Sequence, residues 1–360
     1  MDAIRTRLEG GLDSLDRQFF DTAEGSPASA EFLRLHPPYN DEIAELGFED
    51  EEEEEEEQTF AEFVDMGNRK PNMKGTGRFK REMKRPNIAV LNLSSEATMP
   101  TARLERLIFY LSSMLSLDVV KSAATGALSV SKGAKAVVDS EQGVEFPLRK
   151  LRGGGADVFS VFDVLVEYVA PSDYSLVALV DFKLGELWEK DIVDVLGRAC
   201  GDRVAVVHCS RRVSDLELFT TTAHELLHTM GFDHTTFWPC LMAPSLSSDG
   251  GSAFLSPHNL KKLRHFHGRD DDAEFALQHF RSLAAIWIAV FGLRTPETRN
   301  HYRWLQEKLK LLESLPLPDK KAACTGSTAN RKRARAELED PQRARVGLPV
   351  VGDSTGRRCR

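Results

Sequence analysis

His224, Glu225, His228, Gly231 and His234 fall within one run, HELLHTMGFDH. Residues four apart share a helix face, so His224 and His228 can present two imidazoles to a single ion. Glu225 lies one residue on and points beside such an ion, where a carboxylate can take a proton from an activated water. Gly231 lets the backbone turn where a side chain would obstruct, and the turn brings back His234 as a third ligand. Three histidines leave one position of a tetrahedral zinc open to water, which marks a catalytic site and not a structural one. A chain of this composition would carry the whole pattern by chance about a few times in a hundred thousand. That sets aside the bland alternative, an amphipathic core helix with incidental histidines. Met242 follows in Cys240-Leu241-Met242-Ala243-Pro244. Taken alone Met242 reads as an ordinary core residue; the alternative is a methionine turn behind the third histidine, an apolar floor that does not ligate.

Several elements must hold these residues in place. Ser214 and Glu217 form an S-x-x-E capping box that starts the zinc helix. Leu216, Leu218, Phe219, Ala223, Leu226 and Leu227 give it apolar contacts. Ahead of it, residues 203–208 alternate through Val204, Val206 and His208 and read as a strand; by resemblance to metallopeptidases with such a motif, it is expected to border a substrate cleft and to have a free edge for an extended peptide. His208 is then a cleft residue or a strand histidine facing solvent. Residues 175–181 are a continuous apolar run, a buried strand, and so are 88–93. Residues 117–121 fit a further strand. Leu104, Leu107, Ile108, Leu111 and Leu115 make one stripe on a helix over 101–117. A loop is expected over 122–135. Gly153-Gly154-Gly155 reads as a hinge before a helix over 156–169, because no phosphate-binding fingerprint accompanies it.

Beyond Met242, residues 245–251 read as a flexible loop. Helices are expected over 257–267, over 272–291 with Trp287 as core anchor, and over 297–315. His258, His265 and His267 read as surface histidines that could approach the metal. His301 and Tyr302 are distant proton-donor candidates, with packing or exposure as the alternative. Asp233 is either a group that orients a ligand or an exposed turn residue.

The chain has 360 residues and a net charge of −8. The average hides an acidic run at 49–57 and a basic C-terminal end. Without those ends the body is close to neutral, so neither a nucleic-acid nor a membrane partner is expected. The five cysteines are scattered with no disulfide-framework spacing, which fits a reducing compartment. The longest apolar run, 283–293, is too short to span a bilayer, and the N-terminus lacks a signal-peptide core. An intracellular monomer is expected, cytoplasmic or nuclear, with Arg331-Lys332-Arg333-Ala334-Arg335 open to reading as an import signal or a solvated tail. The domain reading is an appendage over 1–85, a catalytic domain over 86–318 and a basic tail over 319–360.

From His224 to Met242 the chain resembles the archaemetzincins, whose pattern is HExxHxxGxxx-C-xxxx-C-x-M. Tyr174-Ser175-Leu176-Val177-Ala178-Leu179-Val180-Asp181 and Leu255-Ser256-Pro257-His258-Asn259-Leu260-Lys261-Lys262-Leu263 are similar to that family's flanking segments. The resemblance covers roughly 86–290. It implies an α/β (α+β) metzincin-like domain: a small mixed sheet packed with helices, a zinc helix, a methionine turn and C-terminal helices. It also implies a peptide or protein substrate and aminopeptidase-like cleavage. In that family four cysteines hold a second zinc. The matching positions here are Thr235, Cys240, Ser256 and Asn259, and one thiolate cannot hold a closed tetrahedral site. One catalytic Zn²⁺ is therefore expected, with hydrogen bonds or packing in place of the second. Two other readings stay open. One is an inactive zinc-binding interaction module, against which the intact Glu225 argues. The other is a zinc hydrolase acting on a non-peptide amide.

Overall fold

The computed structural model describes residues 58–60, 62–64, 87–152, 154–188, 191–201, 203–235, 240–243, 253–269 and 274–314. The fold is mixed α/β. Its centre is a five-stranded sheet built from β1 (Asn87–Asn92), β2 (Asp118–Lys121), β7 (Asp173–Val180), β10 (Gly197–Cys200) and β11 (Val204–His208), in the order β10-β11-β7-β1-β2. The four strands from β11 to β2 run parallel, and β10 is antiparallel to β11. The inner strands are apolar through their middles because both faces are covered. Ile88, Val90, Val177, Leu179, Ala205 and Val207 point into one core. Ala89, Leu91, Leu176, Ala178, Val180, Val204 and Val206 point into the other.

On the first face lie α1 (Thr101–Leu115), α3 (Asp215–Thr229), α4 (Pro257–Phe266), α5 (Phe275–Phe291) and α6 (Pro296–Ser314). The expected stripe on α1 is buried through Leu104, Leu107, Leu111 and Leu115, with Tyr110 and Met114 added to it. Trp287 is fully buried, and its indole N–H donates to Thr298 O at 3.1 Å, tying α5 to α6. On the second face lies α2 (Val158–Glu167), capped by Asp157.

Two smaller sheets complete the fold. β3 (Leu128–Val130), β4 (Ala136–Asp139) and β5 (Val144–Pro147) form one, with β3 inside the stretch expected to be a loop. β6 (Ala156–Asp157), β8 (Leu184–Trp188) and β9 (Asp191–Val195) form the other. No helix among the described residues is long and apolar enough to cross a membrane.

Three expectations need correction. β11 has no free edge, because β10 pairs along one side of it and β7 along the other. The edge strand beside α3 is β10, whose sequence Gly-Arg-Ala-Cys carries no apolar run. His258 is not a surface residue: it is buried, with Nε2 3.0 Å from Gln58 O. His267 is likewise held inside, with Nε2 2.8 Å from Leu115 O. Finally, part of the expected N-terminal appendage belongs to the folded body, since Gln58 and Phe63 are buried and Phe63 lies in the first-face core. The acidic run, the 245–251 loop and the basic tail lie outside the described residues.

Candidate metal centre

The helix α3 sets the position of the first two histidines. Ser214 Oγ accepts the Glu217 N–H at 3.1 Å and caps its start. Asp215 in the first turn receives Arg103 Nε at 2.7 Å and Arg106 at 2.6 Å, which fixes that end to α1. At the far end Tyr174 donates its hydroxyl to Thr229 O at 3.2 Å. The helix is buried almost all round, so it has little freedom to roll.

The backbone then turns at Gly231, whose φ of 91° lies in the region that favours glycine. The Gly231 N–H bonds His228 O at 2.9 Å, and the Phe232 N–H bonds Leu227 O at 3.2 Å. This return orients the second histidine, because its own Phe232 carbonyl accepts from His228 Nδ1 at 2.7 Å. The methionine turn orients the first: His224 Nδ1 lies 2.7 Å from Leu241 O. Met242 is fully buried, and its carbonyl accepts the Thr235 N–H at 2.7 Å, next to His234. The methionine segment therefore acts through its backbone on both sides of the cluster.

His224, His228 and His234 come together, with one ring nitrogen from each within 4.8 Å of the others. Carbonyl acceptors hold the proton on Nδ1 of His224 and of His228, which leaves a bare lone pair on each Nε2. Those two Nε2 atoms are 3.0 Å apart. Two lone pairs at that distance repel unless a cation sits between them, so the donor set fits a metal ion. Burial pushes the pKa of His224 down to about 4 and that of His228 down to about 3. Both rings are therefore neutral and able to ligate at ordinary pH.

Glu225 is buried, and among the described residues no hydrogen bond reaches its carboxylate. Desolvation pushes its pKa up to about 8, opposed by the charge of Arg198. A bound cation would act in the same direction as Arg198. The carboxylate lies against β10: a methyl group built on Gly197 would be 2.7 Å from Glu225 Cγ. Arg198, the next residue, pairs with Glu186 of β8 at 3.2 Å. Gly197 and Arg198 escaped the sequence reading, and a lone glycine in a polar stretch gives no signal of its own.

The four positions matched to cysteines meet in one buried node. Asn259 Nδ2 donates to Thr235 Oγ1 at 2.7 Å and lies 3.6 Å from Cys240 Sγ. Ser256 Oγ caps α4 by accepting the Asn259 N–H at 3.2 Å. Burial pushes the Cys240 thiol pKa up, so it behaves as a neutral thiol.

The remaining sequence candidates lie elsewhere. His208 Nδ1 is 2.9 Å from Phe182 O at the end of β11. His301 packs edge-on to Phe254 and Trp287, Tyr302 packs on the same core, and His265 meets Phe60 edge-on. Asp233 accepts from Gln58 Nε2 at 2.9 Å. The Gln58 contact was missed, although Thr59-Phe60-Ala61-Glu62 is itself a capping box. The Thr59 N–H bonds Glu62 Oε2 at 2.8 Å and the Glu62 N–H bonds Thr59 Oγ1 at 3.2 Å.

No protein-family model and no curated protein sequence matches this chain. Among solved structures it is similar to an archaemetzincin from Methanopyrus kandleri, with 19% identity and a TM-score of 0.38 over 52% of this chain and 97% of that one.

Proposed function

We propose that this chain is a zinc-dependent peptidase with an aminopeptidase-like preference. The observation that carries the reading is the pairing of two roles in one place. Three imidazoles come together, and a desolvated carboxylate with no hydrogen bond among the described residues follows the first of them. A purely structural metal site has no use for such a carboxylate.

In this reading His224, His228 and His234 hold the ion. Zinc in such a set supplies Lewis acidity to a water and to a carbonyl oxygen. Glu225 accepts one proton from the water as its oxygen attacks the scissile carbonyl carbon. The carbon–nitrogen bond then breaks, and Glu225 returns that proton to the departing amine. Leu241 O and Phe232 O keep the first two rings aimed by holding their Nδ1 protons. β10 is the edge strand of the sheet among the described residues, and in this reading it offers backbone groups to an extended peptide.

Purified protein should contain one zinc per chain and hydrolyse peptides from a mixed library, with products showing removal of N-terminal residues. Internal cleavage products would overturn the aminopeptidase part. Zinc without any hydrolysis would favour the interaction-module reading.

A further inference from the structure

Residue 58 makes more polar contacts with the ligand-bearing turn than any sequence pattern suggested. Gln58 Nε2 donates to Gly231 O at 3.1 Å and to Asp233 Oδ2 at 2.9 Å. These two residues flank Phe232, whose carbonyl orients His228, and Asp233 directly precedes His234. On its other side Gln58 is anchored to α4. The buried Lys262 Nζ donates to Gln58 O at 3.0 Å and to Gln58 Oε1 at 2.9 Å, and His258 Nε2 lies 3.0 Å from the same backbone oxygen. Phe63, fully buried, packs edge-on against Phe232 with ring centres 5.0 Å apart. The capping box at Thr59 and Glu62 shapes the short helical turn that delivers Phe63.

We infer that Gln58 is a positioning residue for the metal centre: it couples α4 to the turn that carries His234, from a point 176 residues upstream in sequence. This rests on the reading of the three histidines as metal ligands. The turn from Gly231 to His234 has no regular secondary structure of its own. Its geometry is set by what grips it from outside. The Gln58 amide is suited to that work because it donates toward the turn while its oxygens accept from Lys262. A residue with acceptors alone would keep the Lys262 contacts and the long Asp233 N–H bond of 3.4 Å to Oε1, and would lose both donations to the turn.

That division of roles gives the test. Gln58→Glu in the full-length chain keeps an acceptor for Lys262, loses both donations, and sets a carboxylate against Asp233. Asp233→Ala removes the carboxylate half of that grip from the exposed side and leaves the bond to the Gly231 carbonyl. The readouts are zinc affinity by chelator competition and the visible absorption of the cobalt(II)-substituted protein. Each single variant should lose roughly tenfold to a hundredfold in affinity and show an altered cobalt spectrum, as loss of a group that orients ligands does. The double variant should lose no more than the Gln58→Glu single, because the bond lost in Asp233→Ala is one of the two already lost in Gln58→Glu. Wild-type affinity and spectrum in both singles would overturn the inference, and so would losses that add in the double. A wild-type chain that binds neither metal would overturn the ligand reading itself, and this inference with it.

Discussion

Gly197 of β10 and Glu225 of α3 pack together, so close that a β-carbon on residue 197 would lie 2.7 Å from Cγ and 2.9 Å from Oε1 of the glutamate. The strand β10 is therefore a wall that fixes where the carboxylate can stand. Gly197→Ala should push Glu225 aside while leaving the three histidines alone. Peptide hydrolysis should fall roughly tenfold to a hundredfold, since small misplacement of a catalytic group has effects of that size. Zinc content should stay at one per chain. Unchanged turnover would mean that the position of Glu225 does not matter.

The buried node around Asn259 should contribute to stability and not to chemistry. Asn259→Ala removes the donor to Thr235 and Cys240 and leaves a buried hydroxyl without that partner. The cost should be about 1–3 kcal/mol, read as a lower urea midpoint. Turnover per zinc-loaded chain should be little changed.

Acid stability should be limited by buried neutral histidines. His279 is fully enclosed, and among the described residues neither ring nitrogen has a hydrogen-bond partner. Burial, helped by His267, pushes its pKa down to about 3. In the unfolded chain a histidine takes its proton near 6.5. Between these values the unfolded state binds the extra proton, so stability is complete above about pH 6.5 and is lost as the pH falls toward 3. His279→Leu should flatten the dependence of unfolding free energy on pH by about one proton over that window. Denaturant titrations at several pH values measure the slope, and an unchanged slope would count against this assignment.

The parts of the fold that were legible in the sequence are those with a local physical signature. The inner strands β1, β7 and β11 read as apolar runs because both of their faces are buried. The helix α3 announced itself through Ser214 and Glu217, and its histidines through their spacing. The illegible parts are positioned by contacts distant in sequence. β10 has four residues of mixed type and is a strand because β11 pairs with it. The β8–β9 hairpin keeps exposed residues such as Leu187 and Val193 and shows no clean alternation. Gln58 follows directly on the acidic run, whose charge dominates any reading of that region, and its partners lie 173 to 204 residues away. His258 looked like a surface residue because its burial depends on that same segment.

The central claim is that Glu225 performs chemistry at a metal held by His224, His228 and His234. Metal content and peptide hydrolysis, measured together on the wild type and on Glu225→Gln, test it most directly. The account expects one zinc per chain in both proteins, hydrolysis in the wild type, and a loss of turnover of at least about a hundredfold in the variant. Equal turnover in the two proteins, or a wild type that holds zinc and cleaves no peptide, would contradict it.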